Sequence, residues 1–111
     1  MATATLKHLR ITPTKVRRVA RLVSGKAVEQ ATNILRLDTH ASSDILAKII
    51  ASAAANAVNN EGANEDKLVV RTIMVNQGKS LRRTLPRSRA RADIIRKRMS
   101  HVTVVVEELT A

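Results

Sequence analysis

The segment GKSLRRTLPRSRARADIIRKRMS, residues 78–100, decides how the rest of the chain must be arranged. Asp93 is its single acid, and such a basic block repels itself unless an anion lies against it. Most of its cations are arginines, whose planar guanidinium can bind two phosphate oxygens at once. The segment therefore predicts a nucleic-acid partner. Its nine Lys and Arg residues, of 20 in the chain, are Lys79, Arg82, Arg83, Arg87, Arg89, Arg91, Arg96, Lys97 and Arg98.

The same segment predicts a projecting β-hairpin. In an extended conformation neither face is wholly apolar, so neither face can be buried against a protein core. In a helix, Pro86 would break the backbone ladder and no apolar stripe would remain. We therefore expect residues 79–100 to form two extended arms, each reaching roughly 30 Å, that turn within 86–92. The alternative is a solvated, disordered basic loop.

The composition of the 111 residues fits a single domain, 1–111, with one modest core. The chain has no cysteine, no apolar run of about 18 residues and no signal-like start, so we expect neither disulfides nor a membrane span. A formal charge of +11 predicts a polyanionic partner. Because Phe, Tyr and Trp are all absent, bases cannot stack on aromatic platforms. Binding must depend on phosphate and sugar contacts to folded nucleic acid, with shape selecting the site.

Three helices are predicted before the basic segment. The first begins at 12–13, where a threonine at the N-cap position precedes a proline, and ends before Gly25. The second covers about 27–37, and the third, 39–60, carries a broad apolar stripe. A helix-turn-helix is a weak alternative, because the second helix has no cation before Arg36. Four cations of the first helix predict a second phosphate-contacting surface, with a merely solvated face as the alternative: Lys15, Arg17, Arg18 and Arg21.

Branched residues predict strands at 67–75 and 101–108, and a short third strand is expected at 3–11. The first two flank the basic segment, so we expect them to pair antiparallel and to continue outward as the hairpin. The predicted fold class is α+β: a small antiparallel sheet packed on three helices, with a long protruding basic β-hairpin.

No combination of residues predicts catalysis. The three histidines, His8, His40 and His101, fall in different elements without metal-type spacing to Asp or Glu. Glu107 and Glu108 are adjacent on a predicted strand and so point to opposite faces. Three glycines in the whole chain cannot build a glycine-rich phosphate loop. We therefore expect no enzyme, no metal site and no cofactor.

Three segments, in order along the chain, carry a family resemblance: ITPTKVRRVARLVSGK at 11–26, ASAAANAVNN at 51–60 and LRRTLPRSRARADIIRKRMSHVTVVV at 81–106. Over nearly its whole length the chain resembles the bacterial-type large-subunit ribosomal protein twenty-two family. This resemblance implies a compact body on the outer surface of the large subunit and a hairpin that crosses the ribosomal RNA (rRNA). It further implies that the hairpin tip lines the nascent-peptide exit tunnel and that the protein supports early assembly.

The resemblance also implies partners and contact residues. The partners would be large-subunit rRNA, neighbouring large-subunit proteins and the nascent polypeptide, with no membrane and no homo-oligomer. The location would be the cytoplasmic ribosome of a bacterium, or alternatively an organellar ribosome. By position, the residues near RNA or the tunnel wall at the tip would be Arg82, Arg83, Arg87, Arg89 and Arg91. Those on the returning arm would be Arg96, Lys97, Arg98 and His101. On the body, the residues that contact RNA would be Lys15, Arg17 and Arg18.

The chain departs from the family pattern at the hairpin. Ala90 stands where the family usually has glycine, and Gln77 and Lys79 stand where it tends to have an acidic residue and a proline. A free-standing nucleic-acid-binding regulator or RNA chaperone is the alternative function, and a membrane-active cationic protein is a more distant one. Stoichiometry separates them, because a ribosomal protein is present once per large subunit.

Overall fold

The computed structural model describes residues 2–86 and 92–108, and the side chains of these except at 83–86 and 92–96. The predicted α+β fold class is confirmed: three helices and a three-stranded antiparallel sheet form the body. In chain order the elements are β1 (Ala2–Leu9), α1 (Pro13–Val23), α2 (Val28–Leu37), α3 (Ala41–Glu61), a 3-10 turn (Glu65–Lys67), β2 (Leu68–Gln77), β3 (Leu81–Pro86), β4 (Ala92–Lys97) and β5 (Ser100–Glu108).

The central strand β5 organises the body. It pairs antiparallel with β1 on one side and with β2 on the other, which confirms the predicted pairing of the strands flanking the basic segment. Its side chains alternate, so that Val102, Val104 and Val106 are fully buried while the residues between them are partly exposed. The helices cover only the valine face, with α3 over β1 and β5, and α1 over β2.

The helices form where apolar periodicity predicts them. In α1, Val16, Val19 and Val23 are fully buried, and Pro13 begins the helix as expected. Thr12 occupies the N-cap position, but its hydroxyl makes no capping hydrogen bond, so proline and apolar packing define this start. Past the helix end, Gly25 adopts a φ of +81°, a left-handed conformation that glycine adopts without steric cost.

The longest helix, α3, is the hydrophobic centre of the helical layer. Leu46, Ile50 and Ala53 are fully buried, and the helix ends at Gly62, which has a φ of +66°. Within the described residues, no helix is both long and apolar enough to cross a bilayer.

The edge of β2 is covered rather than open. Gly25 donates its N–H to the carbonyl of Val70 at 2.8 Å, and the N–H of Val70 donates to the carbonyl of Lys26 at 2.9 Å. Ala27 then forms an isolated bridge with Val69. The α1–α2 turn therefore satisfies backbone groups that would otherwise form an exposed edge able to pair with another chain.

The basic segment forms a second, two-stranded antiparallel sheet of β3 and β4. Pairing of β2 with β5 ends at Gln77 opposite Ser100, and pairing of β3 with β4 begins at Leu81 opposite Lys97. Three residues, 78–80, therefore face two, 98–99, and the register shifts by one between the two sheets. The turn was predicted within 86–92, and residues 87–91 of that range lie outside the described residues. The Cα radius of gyration, 17.2 Å, exceeds the roughly 13 Å of a compact domain this size, as a projecting ribbon requires.

A hydrogen-bonded junction, the hairpin root, joins this ribbon to the body. The hydroxyl of Ser100, whose residue is fully buried, donates to the carbonyl of Ile11 at 2.5 Å. Gly78 donates its N–H to the carbonyl of Met99 at 2.7 Å. A Cβ on Gly78 would lie 3.1 Å from Cε1 of His101, so a side chain there would require the ring to shift by a few tenths of an ångström. These contacts fix the direction in which the hairpin leaves the body.

We predict that Ser100→Ala lowers the free energy of unfolding by about 1 kcal/mol, because it leaves the partly buried carbonyl of Ile11 without its donor. Chemical denaturation of the two purified chains measures the difference. The control is Ser52→Ala on the exposed side of α3, which should leave the unfolding midpoint nearly unchanged. Equal midpoints for the two variants would contradict the structural role of Ser100.

Candidate nucleic-acid interface

A basic cavity, the root cleft, lies where α1, α3 and the hairpin root meet. It has a volume of about 380 Å³. Four cations line it, and no acid does, so their fields add within a concave space. Its lining residues are Arg10, Ile11, Thr12, Lys15, Ala41, Leu81, Lys97, Arg98 and Met99.

A smaller cavity of about 190 Å³ continues the root cleft along α1. It shares Ile11, Lys15 and Ala41 with the root cleft and adds Arg18 and His40. Cations that are far apart in the chain, from the β1–α1 loop, α1 and the returning arm of the hairpin, therefore line one continuous basic surface. This surface brings together four of the residues that were predicted to contact RNA: Lys15, Arg18, Lys97 and Arg98.

Two residues of this surface, Arg10 and His40, were missed by the sequence analysis. Arg10 follows β1 directly, and only the antiparallel pairing of β1 with β5 brings it to the hairpin. His40 is held by Asp38, whose Oδ1 lies 2.7 Å from Nδ1 of the imidazole. Hydrogen bonds from the Ser43 hydroxyl, at 2.6 Å, and from His40 lower the pKa of Asp38 below its usual value. The only local feature of the sequence that indicated this basic surface was the run of cations in the first helix.

Arg17, a predicted phosphate contact, binds the protein itself. Its Nε and Nη2 donate to the carbonyl of Val75 at 3.2 and 2.8 Å. Val75 lies in β2, an edge strand of the three-stranded sheet. The guanidinium thus joins α1 to β2 near the hairpin root. Arg21 lies beside it, and both line a shallow cavity of about 230 Å³ against Ile73 and Val75, away from the root cleft.

His101, also a predicted contact, belongs to the hairpin root. Its Nδ1 accepts the backbone N–H of His8 at 3.2 Å, and the two rings meet edge to face with centroids 5.2 Å apart. His8 has a φ of +61°, an uncommon conformation for a residue with a side chain. The backbone of β1 therefore bends to reach the imidazole, where the β1–β5 register shifts.

The remaining cations that were predicted to contact RNA belong to the hairpin segment. Side chains of Lys79, Arg82, Lys97 and Arg98 are exposed. Arg83 lies in β3 and Arg96 in β4, where the described structure is the backbone, and Arg87, Arg89 and Arg91 fall outside the described residues. The register sets Arg82 opposite Arg96. Like charges directly opposite destabilise a strand pair, so this pairing favours an anion at the hairpin.

The arrangement of cations in the root cleft suits phosphate binding. Among residues 2–86 and 92–108, no three His, Asp or Glu side chains are grouped as metal ligands. The helix-turn-helix alternative is not supported, because the exposed side of α2 carries Glu29 and Asn33 into a cavity that Glu65 and Asp66 also line. A recognition helix with acids around it would repel a phosphate backbone.

Comparison with known proteins identifies the relatives of this chain. The family model for ribosomal protein L22p/L17e matches residues 4–107. The large ribosomal subunit protein uL22 of Thermus thermophilus is 50% identical over 107 residues, covering 96% of this chain and 95% of that protein. The large ribosomal subunit protein uL22 of Thermoanaerobacter sp. (strain X514) is 47% identical over 107 residues, covering 96% of each chain.

We predict that two neighbouring arginines of α1 differ in role. Arg17→Ala should lower the free energy of unfolding by about 1–2 kcal/mol, because the carbonyl of Val75 loses both donors. Arg18→Ala should leave stability within about 0.5 kcal/mol of the parent, because its side chain is exposed and lines the basic surface. Thermal unfolding measures both. The same stability loss in the two variants would contradict this division.

Asp38 should make the stability pH-dependent on the acid side. The pKa of Asp38 is lower in the folded state than in the unfolded state. Its contribution to the stability of the fold is therefore present above the ordinary carboxyl pKa and is lost as the pH falls through the folded-state pKa. Asp38→Asn should therefore flatten the decline of the melting temperature as the pH falls below the ordinary carboxyl pKa. An unchanged slope in Asp38→Asn would contradict the assignment.

Proposed function

The chain belongs to the ribosomal protein L22p/L17e family and is a structural constituent of the large ribosomal subunit; from this premise we propose that it binds large-subunit rRNA through the root cleft and the hairpin. The family is one of structural ribosomal proteins and not a class of enzymes. One observation carries the proposal: Arg10, Lys15, Lys97 and Arg98 converge in one concave site that no acid lines.

The chemistry of the root cleft favours a folded RNA backbone as its ligand. Two arginines supply forked donors that match phosphate oxygens, and two lysines supply mobile point charges. The chain has no Phe, Tyr or Trp on which an unpaired base could stack. Recognition would therefore follow the spacing of phosphates in a folded rRNA segment, with shape selecting the site.

The hairpin would extend this contact away from the body. The like-charged pair Arg82 and Arg96 needs a nearby anion, and a two-stranded ribbon is marginal in water without a partner. We propose that the ribbon runs between rRNA segments, that its tip lines the nascent-peptide exit tunnel beside the nascent polypeptide, and that binding supports early assembly. The elongated shape, 66 Å in its longest dimension, supports such a reach.

The proposed RNA-binding residues divide by position. The chain would act as a single domain of residues 1–111 and would not self-associate. One copy would contact rRNA and neighbouring ribosomal proteins. Arg17 and His101 would act chiefly by holding the hairpin in place. The proposed contacts are Lys15, Arg17, Arg18, Arg21, Lys79, Arg82, Arg83, Arg87, Arg89, Arg91, Arg96, Lys97, Arg98 and His101, and we add Arg10 and His40 because they line the same basic surface.

The test compares two charge-matched double variants of the full chain. Lys15→Gln/Lys97→Gln removes two root-cleft cations, and Lys48→Gln/Lys67→Gln removes two exposed lysines elsewhere on the body. We expect the root-cleft variant alone to bind large-subunit rRNA more weakly. Its log–log slope of affinity against salt should fall in magnitude by about 1.4–1.8, since each lost phosphate contact removes about 0.7–0.9.

Sedimentation of tagged chains through a sucrose gradient at moderate salt provides the second readout. We expect the parent to sediment with large subunits at one copy each, and the root-cleft variant to be depleted there. A parent chain that stays at the top of the gradient would contradict the ribosomal role and favour a free-standing regulator. Equal salt slopes for the two double variants would show that the root cleft is not the RNA site.

A further inference from the structure

A second concave surface, the α2–α3 groove, shares no lining residue with the root cleft. It consists of a cavity of about 490 Å³ beside α2 and a cavity of about 350 Å³ between α2 and α3. Both cavities are lined by Val28, Thr32 and Glu65, so they form one continuous groove. The groove lies beside Leu68, at the opposite end of β2 from the hairpin root. At about 3.3 Å per residue, the ten residues of β2 put roughly 30 Å between them.

The floor of this groove is apolar and its side chains are small. Ala51 and Ala55 of α3 are exposed and line it, together with Ala54 and Val58. Only one side of the alanine-rich segment 51–60 is buried. Small side chains let another backbone approach α3 closely.

The rim of the groove carries the charge opposite to that of the rest of the protein. Glu29, Glu65 and Asp66 line it against one cation, Arg36. Three of the nine acids of a chain with a net charge of +11 are therefore gathered at one cavity. Carboxylates at this spacing repel an RNA backbone and attract ammonium and guanidinium groups.

We propose that the α2–α3 groove docks a lysine- or arginine-bearing segment of a neighbouring protein of the large subunit. The methylene stems of such side chains would lie along Ala51, Ala55 and Val58, and their charged heads would meet Glu29, Glu65 and Asp66. This inference rests on the proposed function, because it takes the large subunit as the setting. The protein then has two faces of opposite charge: the root cleft binds RNA, and the α2–α3 groove binds a cationic polypeptide.

The test places a photocrosslinking amino acid at Asn33, which is exposed in the groove, and at Thr103 on the open face of β5 as a control. Tagged full-length chains are expressed in cells, and crosslinking is carried out on purified large subunits. We expect the Asn33 position to crosslink to a polypeptide at a segment containing Lys or Arg, and the Thr103 position not to crosslink to that segment. An Asn33 crosslink to RNA, or no crosslink, overturns the proposal.

Two matched pairs of variants, each with the crosslinker at Asn33, test the contacts. Glu65→Lys should reduce the crosslink yield about threefold or more, whereas Glu107→Lys, on the open sheet face, should not. Ala55→Leu fills the groove without changing charge and should also reduce the yield, whereas Ser52→Leu, exposed on α3 outside the groove, should not. Equal yields within both pairs overturn the proposal.

The gradient separates the failure of this inference from failure of the ribosomal role. If the chain is present in large subunits and the groove crosslinks to no cationic polypeptide, the docking inference alone is wrong. If the chain is absent from large subunits, both proposals are wrong.

Discussion

The central strand β5 is the constraint on which the rest of the structure depends. Its fully buried Val102, Val104 and Val106 form the floor on which α1 and α3 pack. Its first residue, Ser100, donates the partly buried hydrogen bond to Ile11 at the hairpin root. Because one strand carries both the hydrophobic core and the base of the ribbon, any change in its register would move the basic hairpin relative to the body.

Positive and negative side chains collect at different ends of the molecule, which the net charge alone does not show. Cations collect at the hairpin root, where Arg10, Lys15 and Arg98 line one cavity, while Glu29 and Glu65 collect roughly 30 Å away. Each site is concave and of one dominant sign, so each can select a ligand of opposite charge. In the proposals made above, the root cleft meets rRNA phosphates and the α2–α3 groove meets a basic polypeptide.

Some cations stabilise the fold and therefore position the others. Arg17 donates to the carbonyl of Val75, and His101 accepts from the backbone of His8, so both hold the region from which the ribbon leaves. A count of basic residues does not distinguish Arg17 and His101 from Arg18 or Lys97, which line the basic surface. The difference follows from geometry: β2 is an edge strand with a carbonyl facing α1, and β1 bends at His8.

The sequence by itself determined the elements and the class of partner. Helical periodicity in α1 and α3, alternation in β5, and the charge of 78–100 are local or additive properties, and they predicted the α+β fold and a polyanion. Only the tertiary structure decided which charges meet. Arg10 and Arg98 are 88 positions apart, and they meet because β1 and β5 pair antiparallel. Likewise, one side of the alanine-rich part of α3 lines a groove, because α2 packs on α3 beside it and leaves that side open.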